Sequence, residues 1–198
     1  MPLTSAQLTT LKAHIATNTT VLVGGQFNGI AIKDLPNGGD QNFVIAQWYS
    51  QTAVPDFKVW RTDTKVTDIL DAIDMTKYTP SDSPDATVIY TNRSAAIQIK
   101  QMNLQNMLIG RDTVNTAKAG FRTGLRDSVI GVPAGAAGAA TAPGGASGVT
   151  VLTACTRLAN NVEKVLTSGP ATTGTVTADV MGFEGAISDS DVLNARNS

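Results

Sequence analysis

Histidine and cysteine each occur once in this 198-residue chain, at His14 and Cys155. A single cysteine excludes an intramolecular disulfide framework and any multi-cysteine zinc site. A catalytic histidine needs an orienting partner and a nucleophile, and no GxSxG elbow accompanies His14. Charge is scarce as well: 16% of residues are charged and the net charge is −1. The usual share is about a quarter, so the sequence carries no global pull toward nucleic acid or membrane. A surface this poor in charge keeps copies apart weakly and favours a protein that ends up in contact with others. No apolar run approaches the ~20 residues that span a bilayer. The N-terminal "MPLTSAQLTTLKAHI" has no signal-peptide apolar core, so a soluble product made in a cytoplasm is expected and Asn18 and Asn92 carry no glycosylation signal. "GGQFNG" lacks the glycine spacing of a dinucleotide loop, a Walker loop is missing, and no repeat recurs along the chain.

Helical periodicity is what the chain does have. Thr4 and Gln7 form a capping-box pair ahead of Leu8, Leu11 and Ile15, which predicts a helix over 5–17. His14 falls near the edge of that apolar face. Residues 18–39 read as short extended pieces broken by glycine turns. Asp40 is placed to start a second helix through Gln51 that buries Phe43, Val44 and Trp48. Thr64 precedes a short helix carrying Val66, Ile69, Leu70 and Ile73. Ser83 followed by Pro84 then starts the longest helical pattern, with Ala95, Ile99, Met102 and Ile109 on one face and Ile97, Leu104 and Leu108 widening it. Gly110 closes it, and a second long helix over 111–130 buries Val114, Phe121, Leu125 and Val129. Ser147 is placed to cap one further helix carrying Leu152, Cys155, Ala159, Val162 and Leu166, which Gly169-Pro170 stops. Ser188 with Asp191 starts a last short helix.

The expected fold is therefore mostly α: a helical bundle centred on a long antiparallel helix hairpin. The core domain is expected over 1–169, interrupted by the loop "GVPAGAAGAATAPGGASG" at 131–148. Small uncharged side chains suit this loop to close backbone contact on assembly. Residues 170–198 are expected to form an extended C-terminal arm, with Val176, Val180, Met181, Phe183 and Ile187 as its assembly contacts.

Few residues invite a chemical role. Cys155 lies in the apolar stripe of its helix and reads as a small packing residue. Asp68, Asp71 and Asp74, three apart, line one side of a helix; they read as a solvated face, with divalent-cation ligation as the sharper alternative. The patterned charge is basic. Arg111, Lys118, Arg122 and Arg126 recur at i, i+7, i+11 and i+15, a stripe that is either hydrated or in contact with a phosphate backbone or a neighbouring subunit. No aromatic interleaving supports single-strand stacking. No catalytic residue, metal or cofactor is expected.

From "VWRTDTKV" through "TKYTPSD" to "YTNRSAAIQIKQMNLQNMLIGRDTVNTAKAGFRTGLRDSV", roughly residues 55–130, the chain resembles proteins encoded among the structural genes of tailed bacteriophages and prophages. A helical core with an extended arm is also similar in architecture to their head-to-tail adaptor (connector) proteins. The resemblance implies a virion protein assembled in the host bacterial cytoplasm, not an enzyme. It would form a ring of twelve copies beneath the portal, line the DNA channel and offer the platform for tail attachment. Its implied partners are the portal protein, neighbouring copies of itself, tail or nozzle proteins and, non-specifically, packaged double-stranded DNA, with no membrane. The alternatives are a capsid-decorating or tail-completion protein, and a metal-dependent enzyme built on the three aspartates.

Overall fold

Capping chemistry written in the sequence sets where three helices begin. Thr4 Oγ1 accepts from Gln7 N at 3.3 Å while Gln7 Oε1 accepts from Thr4 N at 2.8 Å. The same reciprocal pair forms between Asn160 and Glu163 and between Ser188 and Asp191. A computed structural model describes residues 2–78, 90–130 and 148–198. In chain order the elements are α1 (Ser5–Thr17), α2 (Gly39–Ser50), β1 (Lys58–Trp60), β2 (Thr64–Lys65), α3 (Val66–Asp71) and α4 (Tyr90–Leu108). They continue with β3 (Thr113–Val114), α5 (Ala119–Val129), α6 (Val149–Ala154) and β4 (Thr156–Leu158), then α7 (Asn161–Val165), β5 (Thr167–Thr173), β6 (Val176–Met181) and α8 (Asp189–Asn197).

The mostly α bundle is not what forms. About half of the described residues are helical, and the strands form sheets instead of leaving a helical bundle. A four-stranded mixed sheet has the order β4-β1-β6-β5, and β2 pairs antiparallel with β3 through Thr64↔Val114 and Lys65↔Thr113. Three local causes account for the difference. First, the helix expected from Ser147 is α6, β4 and α7 in succession, because the Asn160 cap starts a fresh helix after the strand. Second, α4 ends at Gly110, whose φ of 69° leaves the helical region, and the chain enters β3 before α5 begins at Ala119. The Asn115 side chain accepts from Ala117 N at 3.0 Å and holds the turn into α5. The helix hairpin thus exists in shortened form, with α4 packed on α5. Third, residues 170–198 are no arm. Thr- and Val-rich β5 and β6 flank a two-residue turn at 174–175, where Gly174 takes the φ of 61° that primed hairpin turns demand. The loop 131–148 lies outside the described residues apart from Gly148, as do the Ser83-Pro84 start and the Ser147 cap.

The chain divides into two compact units. The first comprises residues 1–58, 158–169 and 179–198. Its core gathers Leu11 and Ile15 of α1, Ile45 and Tyr49 of α2, Val162 of α7 and Val192 and Ala195 of α8, with Leu22, Ile32 and Leu35 from the segment between the first two helices. In α2 the buried residues are Asn42, Ile45, Ala46 and Tyr49; Val44 and Trp48 are half-buried and Phe43 is exposed. The Glu163 carboxylate is buried, and beyond capping α7 it accepts from Gly185 N at 2.9 Å. Gly182 lets the backbone pass against the Leu166 carbonyl, where a Cβ would sit 2.3 Å from the oxygen.

The second unit comprises residues 59–157 and 170–178. Its interior holds Trp60, Ile69, Ile97, Leu104, Leu108, Leu125, Val129, Val151, Leu152 and Cys155. On α4 the inward residues are thus Ile97, Leu104 and Leu108, whereas Ile99 and Met102, expected at the centre of the buried face, are exposed.

Candidate interaction surface

Between α3 and the C-terminal half of α4 the second unit carries a groove with no charged residue among its described lining. Val66 and Leu70 of α3, Met75, and the last two turns of α4 with Ile109 just beyond enclose about 450 Å³. Among the described residues the polar ones lining it are Gln101 and Gln105. Of its lining residues Ile109 is 76% exposed, and Met75 and Leu70 also face solvent. Apolar side chains clustered in this way, with no charge among them, mark a surface that gains by being covered. Desolvating it costs no buried charge.

The four cations of the expected stripe part company. Arg111 is exposed in the loop after α4, Lys118 is the exposed N-cap residue of α5, and Arg126 is half-exposed and pairs with Asp127 at 3.3 Å. Arg122 points inward and is 2% exposed. Its Nη1 donates to the Thr116 and Ala117 carbonyls at 2.9 and 2.6 Å, and its Nε donates to Thr173 Oγ1 at 3.1 Å. The guanidinium lies over the Trp60 ring, 4.7 Å from its centroid. Burial lowers its pKa, and nearby Cys155 opposes this. Thr116 closes the cluster: its hydroxyl contacts that of Thr64 at 2.8 Å and lies 2.7 and 3.1 Å from the Arg61 and Cys155 carbonyls.

Of the residues assigned to the arm, Phe183 and Ile187 are buried in the core of the first unit, while Val176, Val180 and Met181 are half-buried in β6. The three aspartates do not form a row. Asp68 pairs with Arg61 at 2.8 Å, Asp71 ends the six-residue α3, and Asp74 lies past it. Among the described residues no group of three or more His, Cys, Asp or Glu could hold a metal ion. Cys155 is buried, and desolvation pushes its thiol up to about 12, although Arg61 and Arg122 pull the other way. No described helix is long and apolar enough to cross a membrane.

His14 has the partner that the sequence did not reveal: its Nδ1 lies 2.7 Å from the Tyr49 hydroxyl. Burial lowers the His14 pKa, and the charge of Lys164 lowers it further. The unfolded chain therefore takes up this proton first as pH falls. The stability that neutral His14 contributes is present above its ordinary value of 6.5 and is lost as pH drops through the depressed folded value. Thermal melts at pH 7 and 5 should show the gap between wild type and His14→Asn narrowing at the lower pH. A constant gap would contradict the linkage.

No protein family, curated protein or solved structure matches the chain. Two signals in the sequence pointed to what the reading missed. The Asn160/Glu163 spacing marks a helix start, and the alternation of Val176, Ala178 and Val180 marks a strand.

Proposed function

We propose that this chain is a structural virion protein of a tailed bacteriophage, a head-to-tail adaptor that forms a ring beneath the portal and carries the tail. The observation that carries the reading is the uncharged apolar groove along α3 and α4, whose occupant is a neighbouring copy of the chain. An apolar, uncharged segment is the partner it accepts without stranding a charge, and the loop around Val23, itself 95% exposed and without a charged residue from Thr19 to Ile32, supplies one. Groove-to-loop contact is heterologous, the type that closes into rings. The portal and the tail or nozzle proteins are the other partners. Contact with packaged DNA falls to Arg111 and Lys118, with Arg126 beside them, since Arg122 is occupied inside.

Replacing Met75 and Ile109 together by Glu tests the contact. Burying each apolar side chain is worth about 1.5–3 kcal/mol, so the pair should weaken self-association at least ~100-fold. Mass photometry and sedimentation velocity should then find monomer, with unchanged circular dichroism, at concentrations where the wild type forms closed rings. Rings of unchanged stability in the double variant would rule the groove out as the contact.

The four-stranded sheet favours a second reading, a capsid-decorating or tail-completion protein. Cryo-EM of the parent particle separates the two: density in a ring under the portal supports the adaptor, and density on the capsid lattice or at the tail end supports the alternative.

A further inference from the structure

A second groove, of about 670 Å³, lies wholly within the first unit, between α1, Trp48 at the end of α2, Val54 and the start of α7. That size suits a small organic ligand, for which pockets run to about 300–1,000 Å³. Among the described residues Lys164 and His14 are its only ionisable lining groups, and none is an acid. Lys164 is half-buried, and no described carboxylate pairs with it; its ammonium sits 5.8 Å from the centre of the Phe57 ring.

The donors around the groove are mostly spent. Thr10 and Thr17 give their hydroxyl hydrogens to the helix carbonyls of Ala6 and Ala13, and Asn161 Nδ2 donates to the Trp48 carbonyl. The Tyr49 hydroxyl, which burial pushes up to about 12, lies 2.7 Å from His14 Nδ1 and occupies that ring nitrogen. His14 Nε2 is the ring nitrogen left to the groove, and an anion bound there selects the form that carries a hydrogen on it. The donors left are the Lys164 ammonium and Asn18 Nδ2, which is buried without a partner, with His14 Nε2 beside them. Beside them Trp48, Val165 and Val54, the last 85% exposed, supply apolar walls.

We propose that this groove binds a small monocarboxylate with an apolar body, its carboxylate between Lys164 and His14 Nε2 and its body against Trp48 and Val54. A carboxylate's single charge is matched by the one cation, and its two oxygens by the neutral donors beside it. Phosphate, with up to two charges, would find only Lys164 as a cation among the described lining residues.

The lone histidine makes the test direct, because the full-length protein gives a single imidazole Cε1–H resonance. Titration with phenylacetate should shift that resonance saturably, quench the Trp48 emission and raise the His14 pKa by about one unit, since a bound opposite charge favours the imidazolium. Lys164→Gln, at a half-exposed site, should keep the wild-type melting temperature and weaken phenylacetate at least 10-fold. Phenylacetamide, with the same ring and no charge, should leave the resonance in place. The proposal is overturned if phenylacetamide competes equally, if inorganic phosphate binds more tightly than phenylacetate, or if no saturation is reached by about 10 mM, well above a millimolar Kd.

Discussion

Deleting residues 188–198 should unfold the first unit. An assembly arm could be removed without harm to the monomer, but α8 is a wall of the core. It packs on both α1 and α2, burying Val192 and Ala195 completely. Arg196 reaches back to the segment before α2, donating Nη1 to the Pro36 carbonyl at 3.0 Å and to Asn42 Oδ1 at 2.9 Å and Nη2 to the Leu35 carbonyl. Asn37 Nδ2 donates to Asn197 Oδ1 at 3.1 Å. A buried Val is worth about 1.5–3 kcal/mol, and each hydrogen bond from a charged group about 1.5–3 kcal/mol. Truncation also uncovers Leu11, Ile15 and Ile45, so the loss rivals the ~5–15 kcal/mol that typically holds a domain together. Hydrogen exchange should show α1 and α2 losing protection, and limited proteolysis should cut within them. A truncated protein that melts like the full chain would show α8 to be dispensable after all.

How far the sequence could be read is clearest at α6–α7. Leu152, Cys155, Ala159, Val162 and Leu166 recur at near-helical spacing, and all five are buried. Periodicity therefore found the burial and missed the conformation: a strand inserted between two short helices kept the apolar residues inward. On α4 the difficulty is of another kind. The helix carries two apolar stripes, and spacing alone cannot say which one the fold covers; it buries Ile97, Leu104 and Leu108 and leaves Ile99 and Met102 exposed. The groove that carries the functional reading is therefore invisible until the tertiary packing is known. The tail misleads by composition. Threonine and glycine resemble an unfolded linker when counted, yet threonine on a pleated strand with glycine at the turn is hairpin chemistry. His14 shows the same limit for chemistry, since Tyr49, 35 positions away, is brought to it by the packing of two helices.

Arg122 tests where charge spacing stops being informative. Arg122→Ala should cost about 3–5 kcal/mol, within the range seen when buried polar networks lose a member. Two carbonyls and the Thr173 hydroxyl lose their donor, and the Trp60 face, fully buried, loses its cation and gains a void. At roughly 2–4 °C per kcal/mol for a chain of this size, the melting temperature should fall by about 6–20 °C. Arg122→Lys separates a structural role from a merely electrostatic one. Lysine keeps the positive charge, but its single ammonium cannot span the Thr116 and Ala117 carbonyls and Thr173 while lying flat on an indole. If Arg122 holds the fold, the lysine variant should recover less than half of the lost stability, and Trp60 emission should shift to the red in both variants. If its charge alone mattered, as for a residue facing DNA, lysine would melt like the wild type. Calorimetry on the three proteins decides between them, and melting temperatures within about 1 °C of one another, far below the ~6–20 °C fall expected for a structural role, would remove Arg122 from the account of this core.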